Sequence, residues 1–243
     1  LRVGVIDADV HGFSIPGLLG MLHEGRARSP TRVGELILPP VAHGVKVISI
    51  GMFLRAGDGS AVVWRGPMLH RTLTQFLNDV FFGDLDVLLL DMPPGTGDMA
   101  ISVGQILPNA EVLVVTTPQA AAADVAVRSG LAARQTGQRV IGVVENMAGL
   151  TLPDGSVVSL FGSGGGAAVA AALTTTDQAV PLLASVPLSI AVREGGDEGM
   201  PVVLAHPEDP GATAIIELAA SLASNGPSLA GRKLPLAPAR PTE

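Results

Sequence analysis

The sequence predicts an α/β fold: a doubly wound, mostly parallel sheet with helices on both faces. Short apolar runs alternate along the chain with longer helical patterns, which is the rhythm of strands joined by helices. Several runs are β-branched or leucine-rich without polar alternation, as in strands buried on both faces. Alanine, glycine and valine are abundant while aromatic residues make up only 3%, and such small side chains let helices pack closely on a sheet.

The individual elements follow from these runs. Strands are predicted at Val3–Asp7, Val45–Gly51, Asp86–Asp91, Val112–Thr117, Val140–Glu145 and Leu182–Val186. Helices are predicted at Met68–Val80, where the apolar residues have helical spacing, at Ala120–Gln135 after Pro118, at Gly166–Leu173 and at Ala212–Ala223. Glu24–Arg32 is predicted to be a loop. Residues 1–224 would then form one domain, followed by a disordered, proline-rich tail at 225–243.

Composition excludes several classes of function. The net charge is −7 and no run of Lys and Arg occurs, so the chain lacks the basic surface that nucleic acid requires. No apolar run approaches the ~20 residues needed to span a membrane. Cysteine is absent, which excludes disulfides and thiolate metal sites within these residues. We expect a cytoplasmic protein, and the start at Leu1 inside a predicted strand suggests a fragment.

Acidic residues follow the first predicted strand. Asp7 and Asp9 stand two positions apart at the strand end, and ligands of open α/β sheets bind at the carboxyl ends of strands. Two carboxylates there can face a bound cation or an attacking water. The alternative is that they cap a helix or a turn, and the two interpretations stay open at this point.

A more specific string follows the third predicted strand. Asp91 ends a buried leucine run and is followed by Met-Pro-Pro-Gly-Thr-Gly-Asp. Such an aspartate is similar to a Walker B acid, which holds Mg²⁺, usually through water, beside nucleotide phosphates. Gly95 and Gly97 would let backbone N–H groups approach a phosphate oxygen. The alternative is a Pro/Gly-rich loop before a helix that Asp98 caps.

Weaker signals lie further along the chain. Thr116 and Thr117 could contact a ligand or only cap the next helix. Asn146 offers a donor and an acceptor that match an adenine edge, yet it is also an ordinary turn residue. The stretch Phe161–Gly166 is glycine-rich and precedes a helix, but the chain contains no Gly-Lys pair, so we predict a flexible loop there and not a phosphate loop. The five histidines show no metal-ligand spacing.

Taken together, the motifs resemble those of the Mrp family of iron–sulfur cluster carrier ATPases, deviant-Walker P-loop NTPases related to MinD and ParA. The resemblance covers about Leu1 to Ala223, with its motifs in family order. The matching stretches are Val5–Gly12, Ser14–Pro16, Trp64–His70, Asp91–Asp98, Thr116–Gln119, Val144–Met147, Phe161–Gly166 and Arg193–Gly199.

The resemblance implies binding and slow hydrolysis of ATP with Mg²⁺ in a homodimer, and transfer of an iron–sulfur cluster to apo-proteins. Asp9 matches the acid that positions the attacking water, and Asp7 lies beside it near the metal. Asp91 matches the Walker B acid. No nucleic acid or membrane partner is implied.

The remaining carried-over residues would bind the nucleotide. Gly95, Thr96 and Gly97 match the backbone segment near the γ-phosphate. Asn146 matches the asparagine that reads adenine, and Pro187 lies in the loop that borders the base.

Two departures from the family pattern bear on activity. Family members carry a glycine-rich loop with two lysines shortly before the strand that begins here, so this loop and the first strand of the sheet would lie upstream of Leu1. Without those lysines the 243 residues alone are expected to be inactive. Family members also place Cys-Pro-x-Cys where this chain has Leu152-Pro153-Asp154-Gly155, so a cluster cannot be held here in the usual way.

Two other functions remain compatible with the sequence. The first is a non-catalytic interaction module built on the same scaffold. The second is a positioning ATPase of the MinD or ParA type, which would use an amphipathic membrane helix or a basic DNA-binding surface. The tail fits neither surface well, because it has only Arg232, Lys233 and Arg240 as basic residues and is broken by prolines.

Overall fold

The predicted parallel strands form, but they divide into two sheets. The computed structural model describes residues 1–9, 12–53, 66–95, 97–152 and 154–224. The strands are β1 (Val3–Asp7), β2 (Leu22–His23), β3 (Arg26–Ala27), β4 (Thr31–Val33), β5 (Leu36–Leu38), β6 (Val41–Ala42), β7 (Val45–Ser49), β8 (Val87–Asp91), β9 (Glu111–Thr116), β10 (Arg139–Thr151), β11 (Val157–Val158) and β12 (Leu182–Leu188).

Helices connect most of these strands. They are α1 (Ile15–Leu18), α2 (Gly66–Asp79), α3 (Asp98–Ile106), α4 (Ala120–Gln135), α5 (Gly165–Leu173), α6 (Ile190–Glu198), α7 (Val202–Ala205) and α8 (Pro210–Ser224), with a 3₁₀ turn at Ile50–Phe53. Helix α4 has the bounds that its alanine-rich sequence predicts, between Gln119 and Thr136. None of the helices within the described ranges is long and apolar enough to cross a membrane.

The first sheet has the order β6–β7–β1–β8. Strands β7, β1 and β8 are parallel, and β6 pairs with β7 in the antiparallel sense. The second sheet contains β9, β10 and β12 in parallel, with β10 between the other two. At its C-terminal end β10 also pairs with β11 as an antiparallel hairpin. The parallel α/β class is therefore confirmed.

The division into two sheets differs from the single sheet expected from the sequence. Within the described ranges, β8 and β9 are end strands and do not pair with each other. Leu89 on β8 and Val115 on β9 are 52% and 60% exposed. Both unpaired edge strands therefore carry an exposed apolar side chain.

Each sheet has its own apolar core. The core beside the first sheet includes Ile6, Val47, Ile48, Leu73 and Phe76, and therefore joins β1, β7 and α2. The core beside the second sheet is built from β9, β10, α4 and α5, and its fully buried members are Val140, Val143, Val169 and Leu173. Contacts of α3 with α4, and of α1 with α6, connect the two halves.

Glycines are closely packed where α3 meets α4 and where α1 meets α6. A Cβ atom on Gly104 of α3 would lie 2.3 Å from the side chain of Thr136, the residue after α4. A Cβ atom on Gly20 would lie 2.7 Å from the carbonyl oxygen of Gly199. These contacts need residues without side chains, because real Cβ atoms do not approach other atoms so closely.

Some local predictions were wrong or incomplete. The predicted loop Glu24–Arg32 contributes to two short hairpins, β2–β3 and β4–β5, whose strands of two or three residues are too short to show an apolar period. Glu24 and Gly25, at φ 51° and 75°, form the turn of the first hairpin. Helices α3 and α6 were not delimited from the sequence. The predicted tail at 225–243 lies outside the described residues.

Candidate functional site

Three neighbouring parallel strands of the first sheet end in polar residues at the same level. Asp7 of β1 is opposite Ser49 of β7 on one side and opposite Asp91 of β8 on the other. The backbone continues this alignment, because the Ala8 N–H donates to the Asp91 carbonyl oxygen over 2.9 Å. The sheet therefore brings the two predicted metal-side carboxylates next to each other at its carboxyl edge.

Asp7 is fully buried and its carboxylate is held by several donors. The Ser49 hydroxyl donates to Oδ2 over 2.9 Å, and the Asp9 N–H donates to Oδ1 over 3.2 Å. Burial raises the pKa of Asp7 to about 6; these hydrogen bonds and one from the Ile15 N–H oppose the rise, and the charge of Asp91 adds to it. An acid that is hard to ionise despite these donors would gain from a nearby cation.

The other two acids reinforce this electrostatic situation. Loss of hydration raises the pKa of Asp91, and the negative charge of Asp9 raises it further. Asp9 is half-buried, and its Oδ1 accepts the Gly12 N–H over 3.1 Å. The structure thus gathers Asp7, Asp9 and Asp91 where mutual repulsion makes a divalent cation favourable.

The donor set fits Mg²⁺ in chemical type but does not form a complete cage. Mg²⁺ prefers oxygen ligands and usually keeps waters while binding one or two carboxylates plus substrate phosphates. Across the described ranges, no group of three or more His, Cys, Asp or Glu side chains could hold a metal ion by itself. Phosphate oxygens and water would have to complete the coordination around Asp91.

The glycine-containing segment after β8 is open. Gly95 has φ 93°, and a Cβ atom added there or at Gly97 would meet no atom within 4 Å. Gly97 is the N-cap of α3 and makes no side-chain capping bond, and the space beside the backbone at Gly95 and Gly97 is open. The backbone can therefore approach an anion here. Thr96 and the side chain of Asp98 lie outside the described part of the chain.

The predicted base-binding residues lie in the second sheet. Asn146 of β10 is opposite Val186 of β12, and Pro187 follows directly. Asn146 is exposed, and its Oδ1 accepts the N–H of Met147 over 2.9 Å, where the backbone turns with φ 60°. Asn146 and Pro187 thus lie together at the carboxyl edge of the second sheet, apart from the acidic cluster of the first, and Asn146 has the local bond of a turn residue.

The second glycine-rich segment has a different environment from the first. Gly166 at the start of α5 donates its N–H to Oε1 of Glu145 over 2.8 Å, and Glu145 is buried. A Cβ atom on Gly165 would lie 2.5 Å from the Thr117 carbonyl oxygen. The buried carboxylate of Glu145 already accepts an N–H at this helix start, which agrees with the prediction that the segment is not a phosphate loop. Gly165 and Gly166 are closely packed, whereas a Cβ atom on Gly162 or Gly164 would meet no atom within 4 Å.

Two residues of this region were not predicted to matter. Ser49 ends β7 and Glu145 lies within β10, and both bond across the structure, to residues 42 and 21 positions away. A polar residue directly after an apolar run was the available signal in each case. The hydroxyls of Thr116 and Thr117 bond to the Thr117 carbonyl oxygen and to Gln119 Oε1, both within the segment before α4. Neither caps the helix, because the N-cap Gln119 has no side-chain capping bond.

The turn between β10 and β11 is held by bonds among its own residues. Cluster-binding family members are expected to have their cysteines at this turn. Asp154 Oδ1 accepts both the N–H and the hydroxyl of Ser156, and these bonds lower the pKa of Asp154. Leu152 N–H donates to the Ser156 carbonyl oxygen over 2.8 Å. No cysteine occurs anywhere in the 243 residues, so this turn offers no thiolate to a cluster.

A cavity of about 280 Å³ lies elsewhere, beside the short hairpins. It contains none of the predicted site residues and has one charged side chain, so it does not compete with the acidic strand ends as a site for a nucleotide. Its lining is Arg28, Ser29, Thr31, Leu38, Pro39, Pro40 and Val41.

Parallel strands that end in carboxylates, followed by an open glycine segment before a helix, are typical of the ligand-binding edge of an α/β nucleotide-binding protein. Comparison with known families is more specific: the chain belongs to the ParA family of NUBPL iron-transfer P-loop NTPases, which matches residues 1–223. The family resemblance inferred from the motifs is confirmed.

Curated relatives carry a consistent name. The iron-sulfur cluster carrier protein of Mycobacterium tuberculosis is 55% identical over 241 residues, which cover 99% of this chain and 61% of the relative. The iron-sulfur cluster carrier protein of Synechocystis is 40% identical over 223 residues, covering 91% of this chain and 61% of the relative. The chain therefore spans about three fifths of these relatives.

Solved structures agree with the fold. A nucleotide-binding protein from Archaeoglobus fulgidus in complex with ADP is 32% identical, with a TM-score of 0.65, over 82% of this chain and 74% of that one. The septum site-determining protein MinD from Pyrococcus horikoshii is 22% identical with a TM-score of 0.58, over 95% of this chain and 85% of that one. At that identity, MinD supports the fold alone.

Proposed function

We propose that the chain is part of a protein that binds ATP with Mg²⁺, hydrolyses it slowly, and assists assembly of iron–sulfur clusters or their transfer to apo-proteins. The observation that carries this proposal is the register of β1 and β8, which places Asp7 beside Asp91 at the edge where the open glycine segment begins. Family membership and the names of the relatives support the cluster-carrier role.

Each of these residues would have a different role in binding or hydrolysis. Asp91 would hold Mg²⁺ through water, with Asp7 beside it, and Asp9 would orient the water that attacks the γ-phosphorus as the bond to ADP breaks. When bound, Mg²⁺ supplies neutralisation of phosphate charge. The N–H groups of Gly95 and Gly97 would donate to phosphate oxygens from the open side of α3.

The nucleotide base would lie against the other sheet. The exposed carboxamide of Asn146 would contact the adenine edge, with Pro187 bordering the ring. The ADP complex of the A. fulgidus relative supports a nucleotide at this fold. A nucleotide that reaches from Asp91 to Asn146 would span the two sheets.

The open edges between the sheets bear on how the site is completed. We propose that a strand from outside these 243 residues pairs with β8 and β9 and covers Leu89 and Val115. A phosphate-binding loop with its lysines would follow that strand. In the full-length protein, hydrogen exchange should show strong protection of the amides of β8 and β9, whereas fast exchange there would contradict this pairing.

The cargo must be held by ligands outside this chain. Iron–sulfur clusters are normally held by Cys thiolates, and these residues contain none. We further propose a cytoplasmic homodimer without nucleic acid or membrane partners, consistent with the charge of −7. Light scattering of the full-length protein with and without ATP tests the homodimer.

The proposal is tested on the full-length protein with three aspartate variants. Asp9→Asn should bind ATP but hydrolyse it roughly a hundredfold more slowly, because it loses the group that orients water. Asp91→Asn should need at least about tenfold more Mg²⁺ for ATP binding. Asp124→Asn, on the exposed side of α4, is the matched control and should behave as the wild-type protein.

Binding and hydrolysis are measured alongside cluster transfer to an apo-protein. If the wild-type protein neither binds nor hydrolyses ATP, the ATPase part of the proposal fails and a non-catalytic interaction module is favoured. If it hydrolyses ATP but neither binds nor transfers a cluster, the carrier part fails. Hydrolysis that all three variants retain would show that the acidic strand ends are not the site.

A further inference from the structure

Ser49 occupies an unusual place for a hydroxyl group. It is fully buried at the end of β7, directly after the buried residues Val47 and Ile48. Its hydroxyl donates to Asp7 Oδ2 over 2.9 Å, and its Oγ accepts the N–H of Gly51 over 3.1 Å. Burying a hydroxyl is costly unless it is hydrogen-bonded, and this one uses both its donor and an acceptor.

The second of these bonds leads to the segment that carries another acid. Gly51 lies in the 3₁₀ turn after β7, and the ring of Phe13 lies so close that a Cβ atom on Gly51 would be 2.3 Å from Phe13 Cδ2. Phe13 follows Gly12, whose N–H donates to Asp9 Oδ1 over 3.1 Å. The turn that Ser49 fixes therefore contacts Phe13, which is next to the Gly12 that bonds to Asp9.

We propose that Ser49 is a positioning residue for the Mg²⁺–nucleotide site, an inference that rests on the proposed function. Its donated bond fixes the plane of the Asp7 carboxylate from the strand opposite Asp91. Its accepted bond fixes the turn beneath Phe13 and so the segment next to Asp9. One buried hydroxyl thereby sets the relative placement of the acids at the strand ends, without touching the nucleotide itself.

The size of the expected effect follows from this indirect role. Groups that hydrogen-bond a metal-side ligand typically contribute 10–100-fold to metal affinity, because they orient the ligand before the metal arrives. A role that is only structural would lower stability without changing the metal requirement. The Mg²⁺ dependence of nucleotide binding separates these two possibilities.

The experiment uses full-length protein and a fluorescent ATP analogue, titrated with Mg²⁺. Ser49→Ala should raise the Mg²⁺ concentration at half-maximal binding by about tenfold or more, while the affinity for metal-free nucleotide stays at the wild-type value. Ser49→Cys keeps the shape of the side chain, with a slightly larger atom that is a weak donor, so it should shift the Mg²⁺ dependence in the same direction even if the alanine variant fails to fold.

Ser189→Ala is the matched control. The Ser189 hydroxyl also donates to an aspartate, Asp209 Oδ2 over 2.7 Å, and its Oγ accepts a backbone N–H, from Val192 over 3.2 Å. This variant loses the same two bonds at the start of α6, away from the acidic cluster, so its Mg²⁺ dependence should not change.

The outcomes separate this inference from the function on which it rests. A folded Ser49→Ala or Ser49→Cys protein with the wild-type Mg²⁺ dependence overturns the positioning role and leaves the proposed function intact. An equal shift in Ser189→Ala also overturns it, because the effect would then be a general one. A wild-type protein without Mg²⁺-dependent nucleotide binding overturns the proposed nucleotide function and the inference together.

Discussion

Two glycine-rich segments open helices in this protein, and the glycines nearest the two helix starts have different surroundings. Before α3, a Cβ atom on Gly95 or Gly97 would meet no atom within 4 Å, and the N-cap Gly97 makes no side-chain capping bond. At the start of α5, Gly165 and Gly166 are pressed against the neighbouring strand ends, and Glu145 accepts a helix N–H. The same sequence feature therefore serves an accessible backbone in one place and tight packing in the other.

The acids near the two glycine segments also have different environments. Glu145 is buried and accepts a helix N–H, so its local environment is complete. Asp7 and Asp91 lie beside the open segment with pKa values raised by burial and by neighbouring carboxylates. Stability is gained where groups are satisfied, whereas a site that must receive a charged ligand is left with unfavourable electrostatics until the ligand arrives.

The packed glycines at the start of α5 give the largest expected effect on stability. Gly165→Ala should destabilise the protein by about 3 kcal/mol, because the new methyl group would meet main-chain carbonyls that cannot move aside. Urea denaturation followed by circular dichroism measures the change. A loss below about 0.5 kcal/mol, the level of an ordinary surface substitution, would mean that α5 can shift and the junction is not tight.

The second largest expected effect is the pH dependence of stability that Asp7 causes. The pKa of Asp7 when folded, about 6, lies above its usual value of 3.8, so the folded state binds this proton more tightly than the unfolded state. The stabilisation is therefore present below pH 3.8 and is lost as the pH rises through about 6.

Asp7→Asn removes this dependence, because the amide is neutral at every pH. Between pH 4.5 and 7.5 the wild-type protein should lose about 2 kcal/mol of stability relative to the variant, from 1.4 kcal/mol per pKa unit. Denaturation of both proteins without Mg²⁺ at the two pH values tests this. Parallel pH profiles for the two would show that Asp7 ionises normally in the fold.

The open glycine segment gives the smallest effect on stability. Gly97→Ala should change the unfolding free energy by less than about 0.5 kcal/mol, since a poorer N-cap is offset by the lower entropy of the unfolded chain. Its φ of −74° suits alanine, and no atom lies near the added methyl. It should nevertheless weaken ATP binding, because the methyl would occupy the approach of a phosphate. Unchanged ATP affinity would place the phosphates elsewhere.

How well the sequence predicts an element depends on whether neighbouring residues or distant contacts determine it. Helix α4 was predicted at its observed bounds because alanines set its propensity and Pro118 marks its beginning. Strand β1 was predicted equally well from one apolar run. The short hairpins between residues 22 and 38 were missed because two-residue strands carry no period, and they are fixed by turns at Gly25 and by contact with the rest of the chain.

Among the candidate site residues, Asp7, Asp9 and Asp91 could be identified because an acid at the end of an apolar strand is a local pattern. Ser49 could not, since its importance lies in a bond to a residue 42 positions away. Thr96 remains a prediction outside the described residues, and the roles of Asn146 and Pro187 remain proposals at the edge of the second sheet.

The sequence by itself determined the α/β class, the main strands and helices, the absence of thiolate ligands and the family. These depend on composition, apolar periodicity and ordered motifs, all of which are local. Only the tertiary structure decided that the described strands form two sheets, that the glycines before α3 are accessible while Gly165 and Gly166 are packed, and that Ser49 bonds to Asp7. These features arise from strand register and from contacts between distant residues, which a linear pattern does not encode.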